Sequence, residues 1–312
     1  MDKIYSKDLA LYFDTLRFER GISQEDFVFD IVSIRQYRRY LKGDCKIPQT
    51  AINQFSKKLG FKPEHVILDF ESARIEETKK ITAYYNAVIN NDAQKIVELE
   101  QSLHLNTIFD RNNRMLYQFA LYIKQFRAKR MHEADLVARV KEMIGYPEIL
   151  HMNRLSSAEV ILMSNLLSYK SFSDQNLVAQ KLKSFIQDTS HIISGYNERI
   201  KFLCLQRLSD YHGMKKEYSE VIKLCNYALE GLVQLKSYYL MDFFYYHQAL
   251  AYYFLDDMST HKDRLYRCYC ILQAENIKPK IDKFIKRIES DFKVYFHQFI
   301  IQYTPEFIEK NR

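Results

Sequence analysis

The chain is predicted to be all-helical, and three observations predict it. Of 312 residues only 7 are Gly and 5 are Pro, too few to punctuate strands and tight turns. Apolar residues recur three and four apart in segment after segment, the period of a helix with one buried face. The glycines of the first 60 residues, Gly21, Gly43 and Gly60, each fall where a short helix should end, and Pro48 and Pro63 fall where one should begin.

Each element follows in order. Residues 6–20 place Leu9, Tyr12, Phe13 and Leu16 on one face and predict helix 1. Ser23-Gln24-Glu25-Asp26 opens a short second helix, with a hydroxyl able to accept an orphan backbone N–H and acids two and three residues on. Ser33 caps a third helix in the same way, and that helix, SIRQYRRYLKG, stops at Gly43. Pro48 opens a fourth helix with Ile52, Phe55 and Leu59 inward, and Pro63 a fifth segment. From Ser72 the text turns charged, as suits an exposed connecting helix. Amphipathic helices then come in pairs to the end. The predicted breaks are Asn90-Asn91-Asp92, Asp110–Asn113, Gly145-Tyr146-Pro147, Ser171–Asp174, Gly195, Gly213, Asp256–Thr260 and Lys278-Pro279. This spacing of about 20–45 residues is the scale of helix-turn-helix repeats.

The third helix carries the most chemistry. Tyr37, Tyr40 and Leu41 form its buried stripe. Arg35, Arg38, Arg39, Lys42 and Lys46, against the single acid Asp44, point outward with Gln36. An apolar stripe behind a basic, amide-bearing face is what a major-groove helix needs. Ser33, Ile34, Arg35, Gln36 and Arg39 are the base-contact candidates, at about 1–3 kcal/mol of discrimination per good pair. Arg38, Lys42 and Lys46 suit phosphate. Gln24, at the start of the second helix, is placed for phosphate as well. The bland alternative is a solvated charged face.

Composition sets the remaining limits. The net charge of +7 is compatible with nucleic acid but equally with an ordinary surface. The five cysteines, Cys45, Cys204, Cys225, Cys268 and Cys270, are scattered without a CxxC pair, as expected of reduced thiols in a cytoplasmic protein. The opening MDKIYSKDLALYF carries acids and lacks the apolar core of a signal peptide, and no apolar run is long enough to span a membrane. No HExxH, His/Cys cluster, Gly-rich phosphate loop or defensible Ser-His-Asp set appears. Neither catalysis, nor a metal, nor a cofactor is expected.

Residues 205–230, LQRLSDYHGMKKEYSEVIKLCNYALE, resemble a tetratricopeptide repeat. Leu205, Leu208 and Tyr211 lie on one helix, and Val221, Ile222, Cys225, Ala228 and Leu229 on the next. The segment from Phe243 looks like another, with Ala249 at a small-residue position, and AYYNAVINNDAQKIVELE from Ala83 is a weaker copy. Such units bury their faces by stacking, which predicts a right-handed superhelix with a concave inner surface. The predicted domains are therefore residues 1–68, a connecting helix over 69–82, and repeats over 83–312.

The N-terminal segment is similar to the Xre/Cro-type helix-turn-helix in Leu16-Arg17, Gly21-Ile22-Ser23-Gln24-Glu25, the Ser33–Gly43 helix, Pro48 and Leu59-Gly60. It departs from that pattern at Val28, where a small residue is usual, and in a shorter turn before Ser33. Such a domain followed by degenerate tetratricopeptide helices resembles the peptide-pheromone regulators of Gram-positive bacteria and their phages, the Rgg, PlcR, PrgX and arbitrium-receptor type proteins grouped as RRNPP. The resemblance implies a cytoplasmic homodimer on promoter DNA, with a short peptide in the concave groove that changes DNA binding. It also implies groove asparagines that satisfy the N–H and C=O groups of an extended peptide backbone. The candidates are Asn165, Asn197 and Asn226, with Tyr245, Gln248 and Tyr252 along one later helix.

Two regions stay open between readings. The aromatic run Tyr238–His247 suits either an inter-helix core or a groove wall. The last segment, with Ile281, Phe284, Ile285, Ile288, Phe292, Tyr295 and Phe296 at helical spacing, suits either a cap on the superhelix or a dimer contact. Two other functions also remain: a protein-interaction module with a vestigial helix-turn-helix, and a repressor whose repeats are purely structural.

Overall fold

A computed structural model of the chain describes residues 3–105, 108, 110–188, 192–193 and 197–310. Among these the elements are α1 (Lys3–Glu19), α2 (Gln24–Val28), α3 (Ile34–Lys42), α4 (Gln49–Lys58), α5 (Pro63–Asn90), α6 (Ala93–Glu100), α7 (Arg111–Arg127), α8 (Glu133–Ile144), α9 (Ser157–Asn165), α10 (Gln175–Gln187), α11 (Asn197–Met214), α12 (Tyr218–Gln234), α13 (Met241–Phe254), α14 (Met258–Glu275), α15 (Lys278–Phe292) and α16 (Phe296–Lys310). The all-helical prediction is interrupted only by a two-residue parallel pairing of β1 (Leu155–Ser156) with β2 (Ile192–Ile193). No described helix is long and apolar enough to cross a membrane.

The chain divides into two compact units. Met1–Asn86 with Gln94–Ala120 form the first, and Ala87–Ala93 with Leu121–Arg312 the second. The predicted segment from Pro63, the connector and the first repeat helix are one continuous 28-residue helix, α5.

The first unit is glued by aromatic rings. Phe55 of α4 stacks on Phe27 of α2 at 4.9 Å and meets Tyr37 of α3 at 5.6 Å and Phe13 of α1 at 5.7 Å. Phe13, Phe27, Tyr37 and Phe55 are wholly buried. One ring thus ties α1 to three short helices, α2, α3 and α4, none of which is long enough to be stable alone. Val28, the bulky departure in α2, is buried in the same core. The turn after it is tightened by Ile31 and Val32, whose N–H groups both donate to the Val28 carbonyl, and by Asp30 at φ 63°.

In the second unit, helices pack as successive neighbours, α10 with α11, α11 with α12, α12 with α13 and α13 with α14. The predicted repeat residues Leu205, Leu208, Val221, Cys225, Ala228 and Ala249 are fully or almost fully buried between them. Close backbone contact also joins α9 to α11 and α11 to α13. Phe243 of α13 meets Phe284 of α15 at 4.9 Å. These alternate helices form one row, and the face they share is where the polar residues discussed below collect.

The predicted breaks at Gly213 and Lys278-Pro279 fall within two residues of helix ends: α11 closes at Met214, and α15 opens at Lys278 with a proline whose missing N–H would be unsatisfied anyway. One expectation about helix ends is corrected. The final segment is two helices, because Lys293 at φ 55° stops α15 and leaves Tyr295 exposed. Gly195 lies outside the described residues. The remaining predicted breaks coincide with helix ends at Asn90, Arg111, Ile144 and Phe254 or with the segment before α10.

Candidate nucleic-acid interface and the polar face of the repeats

The presentation of α3 is built from local chemistry. Ser33, in extended conformation, accepts the Gln36 N–H on its hydroxyl at 3.1 Å, and α2 is capped identically by Ser23 from Asp26 at 3.0 Å. At the other end Gly43 takes φ 79°, and the N–H groups of Gly43 and Asp44 return to the carbonyls of Tyr40 and Arg39. Tyr37 and Tyr40 face the core. Arg35, Arg38, Arg39, Lys42 and Lys46 are all exposed, Ser33 is exposed, and Ile34 and Gln36 are half-buried. The predicted division of faces holds in the structure.

What sequence inspection missed is the anchor beneath that helix. Asp14 of α1 accepts from Arg17 Nε at 2.6 Å, from Gln24 Nε2 at 3.1 Å and from the Tyr37 hydroxyl at 3.1 Å, all on one oxygen. Arg17 also donates to the Ile22 carbonyl at 2.9 Å. Burial, with the Asp14 carboxylate beside it, pushes the Tyr37 hydroxyl well above its ordinary value, so it remains a donor. Asp14 thereby fastens α1, α2 and α3 at one point. Gln24 gives one of its two amide N–H groups to this anchor.

Two surface residues are already engaged. Gln36 donates to Cys45 Sγ at 3.1 Å and accepts from Arg39 at 3.3 Å, which leaves one amide N–H and one oxygen lone pair uncommitted by these two bonds. Arg38 lies 4.0 Å from Glu25, an exposed pair of little energetic weight.

Of the peptide candidates, Gln248 and Asn226 are brought into direct contact. Asn165 is buried at the end of α9, donating to the Ile161 carbonyl at 2.8 Å and accepting from Arg207 at 3.2 Å. Its amide is used to hold an arginine. Gln248 is buried and donates to Asn226 of α12 at 2.6 Å, while its own Oε1 has no partner. Tyr245 and Tyr252 are half-buried on the same side of α13, and Tyr245 lies beside Arg267 of α14. This side meets α12 and α14. The Asn197 side chain lies outside what the structure describes.

The row formed by the alternate helices carries other groups. Asp210 of α11 lies 2.8 Å from His247 Nε2, accepts from Gln206 at 2.6 Å and faces Arg207 at 4.0 Å. Burial alone would raise the Asp210 carboxyl, but His247, Arg207 and Arg287 outweigh it and hold it at about 2. Ser209 Oγ is 3.0 Å from His247 Nδ1, completing the order Ser-His-Asp that the sequence did not reveal. Ser209 is 1% exposed and turns to Cys225 Sγ at 3.1 Å. No substrate reaches that hydroxyl, so the chain of contacts is a core network. No group of acids, histidines and cysteines able to hold a metal exists among the described residues.

No protein-family profile matches the chain, and no curated protein matches it in sequence. Solved structures do. PlcR of Bacillus thuringiensis, in complex with the peptide PapR7 and DNA, is 14% identical, with 87% of this chain and 98% of that chain covered at a TM-score of 0.42. The SHP pheromone receptor Rgg2 of Streptococcus dysgalactiae is 12% identical, covering 94% and 99% at 0.40. The chain is likewise similar to the competence regulator ComR of Streptococcus vestibularis, at 11% identity, 92% and 98% coverage and a TM-score of 0.49.

Proposed function

We propose that this chain is a sequence-specific DNA-binding transcriptional regulator of the RRNPP type. In this reading it is a cytoplasmic homodimer whose hold on its operator is set by a short peptide bound to the second unit. The observation that carries the DNA half is α3, a helix capped at both ends, fastened through Tyr37 to Asp14, with four exposed cations on its outer face and exposed Lys46 just beyond it. Arg35 and Arg39 would read guanine edges, while Arg38, Lys42 and Lys46 would neutralise phosphates. Such contacts release counterions, so binding would weaken steeply with salt.

Support for the peptide half is the polar face of the alternate helices, together with the order of parts in the sequence. The mechanism is a change in dimer geometry. Half-sites read by two recognition helices lie about one DNA turn apart, so a small rotation between protomers gains or loses both contacts. The peptide shifts that balance only if it binds one geometry better than the other.

The test is capture of genomic fragments by the purified full chain, beside an Arg35→Ala/Arg39→Ala double variant. The expected result is enrichment of a two-fold-related motif by the natural protein and its loss in the variant. Absence of any enrichment at low salt, with and without added cell-derived peptides, sinks direct DNA recognition.

A further inference from the structure

We propose that Lys283, Arg127, Arg207 and Arg287 form a carboxylate-binding subsite on the polar face of the second unit, which takes a carboxylate of the short peptide. This deepens the peptide reading above and rests on it. Lys283 of α15 and Arg127 of α7 donate to the same oxygen, the Ile89 carbonyl, at 2.8 and 3.2 Å. Two cations thus meet on one neutral acceptor. Arg207 is aimed by Asn165, and Arg287 is braced over the Tyr246 ring at 4.7 Å with Asp291 at 3.8 Å.

The surrounding acids face the flanking cations and not Lys283. Asp210 faces Arg207 and His247, and Asp291 lies beside Arg287. Lys280, one turn before Lys283, is held between Asp242 at 3.0 Å and Glu275 at 2.5 Å. Lys283 itself has no carboxylate within ion-pair distance among the described residues. It is nevertheless solvent-accessible. Packed protein around it, and then Arg127, Arg287, Arg207 and Lys280, push its ammonium down to about 8. An accessible cation surrounded by protein and by like charges is unfavourable as it stands and becomes favourable when an oxyanion arrives. A peptide carboxylate, from its C-terminus or from an Asp or Glu side chain, supplies that charge at the end of an extended backbone.

The experiment is thermal unfolding of the full chain with defined heptapeptide pools at moderate salt. One pool has free C-termini, one is amidated but contains Asp and Glu, and one is amidated and acid-free. Inorganic sulfate alone forms a fourth arm. Wild type is compared with Lys283→Met and Lys283→Arg. The expected result is a rise in melting temperature with a carboxylate-bearing pool and none with the acid-free amidated pool. The free-terminus and Asp/Glu arms identify which carboxylate is held. Lys283→Met loses the response, and Lys283→Arg restores it. An equal response to the acid-free amidated pool, or an undiminished response in Lys283→Met, overturns the subsite while leaving the peptide reading intact. Stabilisation by sulfate with none by any peptide overturns the peptide carboxylate in favour of a plain oxyanion site. No response to any arm removes the peptide reading and the subsite together.

Discussion

Replacing Asp14 by Ala is expected to loosen the recognition helix far more than its half-buried position suggests. Three donors converge on one Asp14 oxygen, from Arg17, Gln24 and Tyr37. Removing the carboxylate leaves the Tyr37 hydroxyl in a ring that is 0% exposed, with no other acceptor given by the surrounding contacts. A buried donor left unsatisfied costs about 1–3 kcal/mol. It also strips Arg17, 8% exposed, of its counter-charge, although Arg17 keeps the Ile22 carbonyl. A fully buried pair broken this way costs about 3–5 kcal/mol, and partial exposure of Asp14 discounts that figure. The terms share partners and do not add, so about 3 kcal/mol is the expected loss. Tyr37→Phe deletes one hydrogen bond without orphaning a donor and should cost about 1 kcal/mol.

Because the chain has two units, a single unfolding midpoint is a poor measure, and native-state hydrogen exchange of the α1–α4 amides is the assay. A loss of about 3 kcal/mol accelerates exchange roughly a hundredfold, against roughly fivefold for Tyr37→Phe. Exchange in Asp14→Ala no faster than in Tyr37→Phe would refute the claim that this carboxylate is the anchor.

Four further outcomes are expected. Ser33→Ala removes the α3 cap and should destabilise the first unit by about 1 kcal/mol, read by the same exchange experiment. Gly43→Ala should cost about 1–2 kcal/mol, because φ 79° is left-handed and the new Cβ would sit 2.9 Å from Lys7 Cδ; unchanged exchange of the α1–α4 amides contradicts it. Lys216→Gly relieves the opposite strain at φ 62° and should stabilise the second unit by about 1 kcal/mol. Asp8, 2% exposed, has its carboxyl pushed up to about 7 by burial and then by Asp110, so the folded chain holds a proton there that the unfolded chain releases above about pH 4. Stability of the first unit should therefore fall as pH rises from about 4 to 7, and Asp8→Asn should flatten that slope. A slope unchanged in Asp8→Asn assigns it to other groups.

Local chemistry made much of the fold legible. Hydroxyls at Ser23 and Ser33, Gly43 after a basic helix, and apolar residues three and four apart act within one or two turns, so their consequences are readable in order along the chain. Helix ends in the second unit were less legible. Lys216 and Lys293 adopt left-handed backbone where Gly or Asn is usual, a conformation unmarked by residue type.

The sequence by itself determined that the chain is helical, where its recognition helix starts and stops, and which face of that helix is basic, because caps and periodicity are short-range. Only tertiary structure decided what stands beneath and between the helices. Asp14 and Tyr37 are 23 residues apart, Ser209 and His247 are 38 apart, and Lys283 meets Ile89 across 194 residues. In each case one polar group is satisfied or strained by a partner on another helix. Charge and hydrogen bonding at such range depend on which helices pack together, and no spacing along the chain encodes that.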